Sequence, residues 1–168
     1  MFRDYAMNAN AVPRSQASRN VMAILLAGII AATCDMIFAC TFNGLRSGVS
    51  PERVMQSIAS GWLGRAAFDG GAGAAALGFA SHYGILIIAA ALYYLALARS
   101  QWMRGNVVLC GALYGVCIYA FMHLVVLPLS NAPQFKSSWV GMCSDFAMHV
   151  LVIGPAIALS LRRFARLT

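Results

Sequence analysis

The sequence predicts an all-α polytopic membrane protein with four transmembrane helices and a short amphipathic interfacial helix. The composition is the first reason: 61% of the 168 residues are hydrophobic and only 10% are charged, whereas soluble domains carry about 25% charged residues. The second reason is the presence of separate apolar stretches, each approaching the about 20 residues that a helix needs to cross the hydrocarbon core. A chain of this length forms one domain by default.

The apolar stretches set the predicted domain organisation. A single transmembrane domain over residues 21–161 lies between an N-terminal tail, 1–20, and a basic C-terminal tail, 162–168. We expect the first span to be retained and not cleaved as a signal, because Asp35 interrupts its apolar region. The second span is expected to begin earlier than His82, in the preceding Ala/Gly-rich run. The predicted spans cover residues 21–42, 82–98, 107–127 and 143–161.

The distribution of basic residues predicts the orientation. The two tails and the loop with Arg99 and Arg104 hold most of the 12 Lys and Arg residues. Arg46, Arg53, Arg65 and Lys136 lie in the other two loops. The positive-inside rule therefore places both termini in the cytoplasm. The net charge of +7 is scattered at the ends of apolar runs, which favours topology signals and contacts with anionic lipid over nucleic-acid binding.

The loop after the first span predicts a helix over about 51–63. Ser50 is a candidate N-cap and Pro51 fits the first helical position, where its missing N–H costs nothing. Apolar residues from Val54 to Trp62 recur at helical spacing, and Gln56 and Ser60 lie on the opposite, polar face. The pattern favours an anchor on the outer interface with Trp62 at headgroup depth. The alternative is a lid that folds back over the bundle.

Ionisable residues inside the apolar spans are the main functional signal. With the predicted orientation, all of them fall in the outer half of the membrane. A charged side chain near the bilayer centre costs at least about 2.5–3.5 kcal/mol, so such groups normally face the protein interior or a wet cavity. The sequence therefore predicts one outward-opening polar site from five residues: Asp35, His82, His123, Asp145 and His149.

Several functions fit those five residues. A proton- or cation-binding site is favoured, with the carboxylates as anionic or proton-sharing partners and the histidines as proton acceptors. The runner-up is a metal or haem site, Zn²⁺ or haem b, in an accessory subunit of a larger redox complex. The simplest alternative is interhelical hydrogen bonding, which averages only about 0.6 kcal/mol per bond. A partner-binding role, in a homo-oligomer or a larger membrane complex, is the fourth.

An enzymatic role is not predicted, and no catalytic residue is assigned. Ser81 beside His82, and Ser144 beside Asp145, are sequence neighbours, and neighbours on a helix point about 100° apart. The sequence contains no GxSxG motif. We therefore expect a protein whose function is binding.

Small residues predict close helix packing. Gly111 and Gly115 form a GxxxG pattern in the third span, of the kind that lets two helix backbones approach. Gly154 and Pro155 are expected to kink the fourth span. The five cysteines lie in or beside apolar runs without a CxxC pair, so core packing is favoured. A disulfide such as Cys40–Cys143 is left open.

Parts of the sequence also resemble a known group of proteins. The run "PERVMQSIASGWLGRAAFDGG", followed by "ALYYLALAR" and "YAFMHLVVLPLSNAP", is similar to small bacterial inner-membrane proteins of unknown function, loosely of the YagU type. The resemblance covers Gly44 to Arg163. It implies a four-helix inner-membrane fold, and it implies no activity, cofactor or catalytic residue.

Overall fold

The structure, a computed structural model, describes residues 16–133 and 138–166. Arg3, Arg14 and Lys136, which entered the orientation count, lie outside the described residues. The described chain forms helices and contains no β-strand. The elements are α1 (Gln16–Ser47), α2 (Pro51–Leu63), a 3₁₀ turn (Gly64–Asp69), α3 (Gly71–Arg99), α4 (Gln101–Gly105), α5 (Val107–Leu129) and α6 (Trp139–Phe164).

Four of these helices, α1, α3, α5 and α6, are long and apolar enough to cross a membrane. The predicted fold class, an all-α multi-pass protein, is confirmed. The helices extend beyond the predicted spans: α1 has 32 residues and α3 has 29. At 1.5 Å per residue α1 is about 48 Å long, more than the hydrocarbon core requires. Part of α1 therefore extends beyond the apolar layer.

The two ends of the described chain meet at one end of the bundle. Gln16 Nε2 donates a hydrogen bond of 2.7 Å to the carbonyl oxygen of Arg166. The Arg166 backbone N–H donates to Asn20 Oδ1 at 3.0 Å. We call this the terminal end, and we call the opposite end, where α1 leads into α2 and α5 leads towards α6, the distal end.

The core is built where α1, α3 and α6 meet. Alanines of α1, including Ala27 and Ala31 at 0% exposure, face Ile157 and Leu161 of α6, which are also fully buried. Small side chains allow this because dispersion contacts, and not hydrophobic exclusion, hold helices together in lipid. Tyr93 of α3 is buried in the same cluster. The core thus fills the terminal part of the bundle with apolar side chains.

Helix α5 packs on α6 through backbone contacts between glycines. A Cβ on Gly115 would collide with the carbonyl oxygen of His149, and one on Gly154 would collide with the carbonyl oxygen of Gly111. Helices α3 and α5 approach each other less closely. They touch near the middle, where the Tyr114 hydroxyl donates to the Ala89 carbonyl oxygen at 2.7 Å. Space is consequently left between α3 and α5 towards the distal end.

Both α5 and α6 contain one π-helical turn, Met122–Val126 and His149–Ile153. Each turn ends two residues before a proline, Pro128 in α5 and Pro155 in α6. A proline removes one hydrogen bond of the helix, and its ring clashes with the carbonyl four residues earlier. A widened turn relieves that clash and lets the remaining backbone groups find partners. The disturbance expected at Gly154 and Pro155 therefore takes the form of a π-turn.

Helix α2 begins as predicted, because the Ser50 side chain accepts a hydrogen bond from the Arg53 N–H at 3.2 Å and Pro51 takes the first helical position. The predicted solvent-facing polar side is wrong in part: Gln56 is 5% exposed and Ser60 is 1% exposed. Gln56 Nε2 donates to the carbonyl oxygen of Gly71 at 3.3 Å, which satisfies it inside the contact with α3. The reason for this burial is that α2 packs closely on α3.

The contact between α2 and α3 is a second backbone contact at a glycine. A Cβ on Gly78 of α3 would collide with the carbonyl oxygen of Met55. Ala59, Ala67 and Ala74 form a small buried cluster beside it. Trp62, at the end of α2, stays 68% exposed. Helix α2 is therefore fixed to the bundle along one side.

All five cysteines are free. The disulfide between Cys40 and Cys143, left open by the sequence, is not formed.

Candidate functional site

A cavity of about 1170 Å³ occupies the distal end of the bundle. Its walls come from α1, α3, α5 and α6, and α2 covers one side. Ser47, Asn131 and Ser138, at the distal ends of their segments, lie at its rim. All five ionisable residues singled out by the sequence line this cavity: Asp35, His82, His123, Asp145 and His149.

The five residues form two groups. The first is a pair between α1 and α3, in which His82 Nε2 lies 3.6 Å from Asp35 Oδ2. The same nitrogen lies 3.2 Å from the carbonyl oxygen of Ala32, one turn before Asp35. Both side chains are well buried, at 12% and 16% exposure. This pair closes the inner wall of the cavity.

The second group is centred on Asp145, whose two carboxylate oxygens face different histidines. Oδ1 lies 3.3 Å from His149 Nδ1, one turn further along α6. Oδ2 lies 3.5 Å from His123 Nε2 on α5. His149 is buried, whereas His123 and Asp145 are 33% and 37% exposed. The group thus runs from the buried contact between α5 and α6 into the open part of the cavity.

Hydrogen bonds to the backbone indicate where the protons are. His123 Nδ1 lies 3.0 Å from the carbonyl oxygen of Tyr119, and His149 Nδ1 lies 2.9 Å from that of Asp145. A carbonyl oxygen only accepts, so Nδ1 carries a proton in both rings. His123 Nε2 then faces a carboxylate oxygen, and two lone pairs would repel each other. The contact is favourable only when one proton lies between His123 and Asp145.

Tyr119 holds both histidines in place. Its ring stacks on His123 with a centroid distance of 4.1 Å and meets the edge of His149 at 5.6 Å. Phe146 packs against the Tyr119 ring from the side at 5.2 Å. One aromatic side chain therefore fixes the orientation of both histidine rings.

The two groups share one cavity, and their charges interact. Asp35 is close enough to both Asp145 and His149 for an electrostatic interaction. The sequence predicted one set of five residues, and the structure divides it into a pair and a group of three. Within the described residues, no three His, Cys, Asp or Glu side chains are arranged to hold a metal ion.

Sequence reasoning missed the π-helical turns that carry two of the histidines. His123 lies in the π-turn of α5, and His149 begins the π-turn of α6. π-turns within α-helices occur frequently at functional sites. A signal was present in two similar runs, "MHLVVLP" at 122–128 and "MHVLVIGP" at 148–155. Each places a histidine five or six residues before a helix-breaking proline.

Helix α2 covers the cavity and is tied down at its C-terminal end. Trp62 Nε1 donates to Ser81 Oγ at 3.0 Å. Asn131, after α5, donates its side-chain amide to the Trp62 carbonyl oxygen and its backbone N–H to that of Gly61, both at 3.0 Å. These contacts favour the alternative interpretation of α2 as a lid. They also join α2 to the segment that follows α5.

The Asn131 contact can be tested by hydrogen exchange. Asn131→Ala removes the side-chain bond to Trp62 and is expected to speed exchange of the α2 amides about fivefold, because such a bond contributes about 1 kcal/mol. Asn106→Ala is the matched control, since its side chain makes the same kind of bond to the carbonyl oxygen of Trp102 at the terminal end. Equal exchange of α2 in both variants would contradict a tether at the lid.

Searches against protein-family models, curated proteins and solved structures find no match for this chain. The site must therefore be interpreted from its own geometry.

Proposed function

We propose that the protein is a non-enzymatic integral protein of a bacterial inner membrane that binds protons reversibly in its distal cavity. The observation that carries this proposal is the position of Asp145, with one carboxylate oxygen facing each of two histidines. Each histidine has Nδ1 engaged with a backbone carbonyl. Protons gained or lost by this group are shared among three residues and are not held by any one of them.

The charge distribution supports an outward-facing cavity. Among the described basic residues, Arg99, Arg104 and Arg162 belong to the larger set at the terminal end, and Arg46, Arg53 and Arg65 lie towards the distal end. This excess favours a cytoplasmic terminal end. The cavity then opens to the outside, and the protons that it binds come from that side.

The arrangement favours binding over transport. On the terminal side of His149, fully buried apolar side chains such as Ile153, Ile157 and Leu161 make up most of the described core. A proton path needs a chain of polar groups or water, and these side chains provide neither. We therefore propose a one-sided site, suited to sensing the proton concentration outside.

The proposal predicts that His123 and His149 influence each other through the Asp145 carboxylate that both contact. NMR of isotope-labelled histidine in zwitterionic nanodiscs would follow the His149 signal across the histidine range. His123→Gln is expected to change the pH response of the His149 signal, because it removes the side chain that faces Asp145 Oδ2. His82→Gln is the control, because its direct partner is Asp35, and it is expected to have a smaller effect.

Identical His149 titrations in the wild type and in His123→Gln would overturn the coupled site. A second measurement separates binding from conduction. The protein reconstituted in liposomes with a trapped pH indicator is expected to admit protons no faster than empty liposomes do. A proton leak that depends on His149 would show that the protein conducts protons and would overturn the proposal of a sensor.

A further inference from the structure

The distal cavity is far larger than a proton requires. Its volume of about 1170 Å³ slightly exceeds the range of about 300–1,000 Å³ that is typical of pockets for organic ligands. Most of its lining is apolar, including Ile85, Phe121 and Met122, and a few polar groups converge at its inner wall. That combination is typical of a site for a small organic molecule.

The charges in the cavity indicate the sign of its ligand. The titratable and charged side chains that line it come from α1, α3, α5 and α6, and the lining residues of α2 and the described loops add none. They are Asp35, Arg46, His82, His123, Asp145 and His149. When the histidines are neutral and both acids are ionised, these two acids and three histidines carry two negative charges and no positive one. Arg46 lies exposed near the rim, with its guanidinium 5.8 Å from the Phe42 ring.

Aromatic side chains in the lining of the cavity indicate that a cationic ligand would also have an apolar body. Phe38 and Phe42 stack at 5.4 Å on the α1 wall, and both line the cavity with Phe121 and Trp62. Aromatic faces attract ammonium groups and also bury the hydrocarbon attached to them.

We propose that the cavity binds an organic ammonium ion with an apolar body, its ammonium group lying beside Asp145. Asp145 is the more accessible of the two carboxylates, at 37% exposure against 16% for Asp35. The apolar body lies between α3 and α5, where these helices diverge. The inference rests on the proposed proton site, because the ammonium ion replaces the proton that Asp145 shares with His123. Protons and the amine therefore compete, and amine binding strengthens as the histidines lose their protons.

The test uses a defined probe on the full chain in zwitterionic nanodiscs. Fluorine NMR would follow para-trifluoromethyl-benzylammonium, with para-trifluoromethyl-benzyl alcohol as the neutral control of similar shape. The wild type is expected to bind the ammonium saturably at about pH 8 and about tenfold or more weakly at about pH 5, where histidines are protonated. Asp145→Asn is expected to lose a similar factor at the higher pH, since it removes the charge partner. Asp69→Asn, on the exposed 3₁₀ turn away from the cavity, is expected to bind as the wild type does.

The outcomes separate the two proposals. Equal binding of alcohol and ammonium, or ammonium binding independent of pH in the wild type, would overturn the inference whether or not Asp145→Asn folds. Coupled histidine titrations without ammonium binding would overturn the inference and leave the proton site standing. Loss of both signals would overturn both.

Discussion

Gly115→Ala is expected to destabilise the protein by about 3 kcal/mol and to move Asp145 and His149 of α6 away from His123 of α5. The added Cβ would collide with the carbonyl oxygen of His149, and Val150 Cα lies within 2.9 Å of the same position. Overpacking of this kind typically costs about 1–3 kcal/mol. We expect a cost at the upper end of this range because the obstructing atoms belong to the backbone, which cannot change rotamer as a side chain can.

The free energy of unfolding in mixed micelles, followed by circular dichroism, would measure the effect of Gly115→Ala. The NMR signal of His149 would report the displacement. Gly84→Ala is the matched control within a spanning helix, since a Cβ at Gly84 meets nothing within 4 Å. Because alanine is favoured over glycine in a helix by about 1 kcal/mol, this control is expected to be neutral or slightly stabilising. Equal stability of the two variants would show that α5 and α6 do not meet at Gly115.

His82→Leu is expected to destabilise the protein by about 3 kcal/mol, and Asp35→Leu added to it is expected to restore about half or more of that loss. The single change leaves the Asp35 carboxylate without its partner at a position only 16% exposed. Breaking a buried ion pair on one side costs about 3–5 kcal/mol, whereas replacing both members by apolar residues is often neutral. We expect a cost at the lower end of that range because a carboxyl group without its partner can take up a proton.

The same unfolding measurement on both single variants and the double variant gives the coupling between Asp35 and His82. A double variant as unstable as the sum of the single variants would mean that the two side chains do not interact. It would then follow that the inner wall of the cavity is held by packing alone.

The spanning helices could be predicted because their signal is local. Hydropathy depends on composition within a window, and residues 107–127 of the predicted third span almost coincide with α5. The ends were less accurate, since the Ala/Gly-rich segment from Gly71 to Ser81 is only weakly apolar. Contact with α2 stabilises the helix in this segment, and a hydropathy average over neighbouring residues does not register a contact between two helices.

The residues of the candidate site were predicted, but their pairing was not. Depth follows from counting residues along each span, so Asp35 and His82 could be placed at one level. Which histidine faces which carboxylate depends on helix rotation, and the rotation of α6 is set by the contact of Gly115 with the His149 backbone. The π-turn adds a residue to that turn and changes the direction in which His149 points. Their role as a proton or ligand site stays a prediction, as does association in a homo-oligomer or larger complex.

The order of the helices has a consequence for how the protein is made. Helix α1 leaves the ribosome before α3 and α6, which are its partners in the core, and its Asp35 pairs with His82 of α3. During synthesis Asp35 therefore enters the membrane before any partner exists. Until α3 is inserted, it must be protonated, or remain in the aqueous interior of the insertion machinery. Helix α6 then completes these contacts, since the hydrogen bonds of Arg166 with Gln16 and Asn20 form only after α6 has been made.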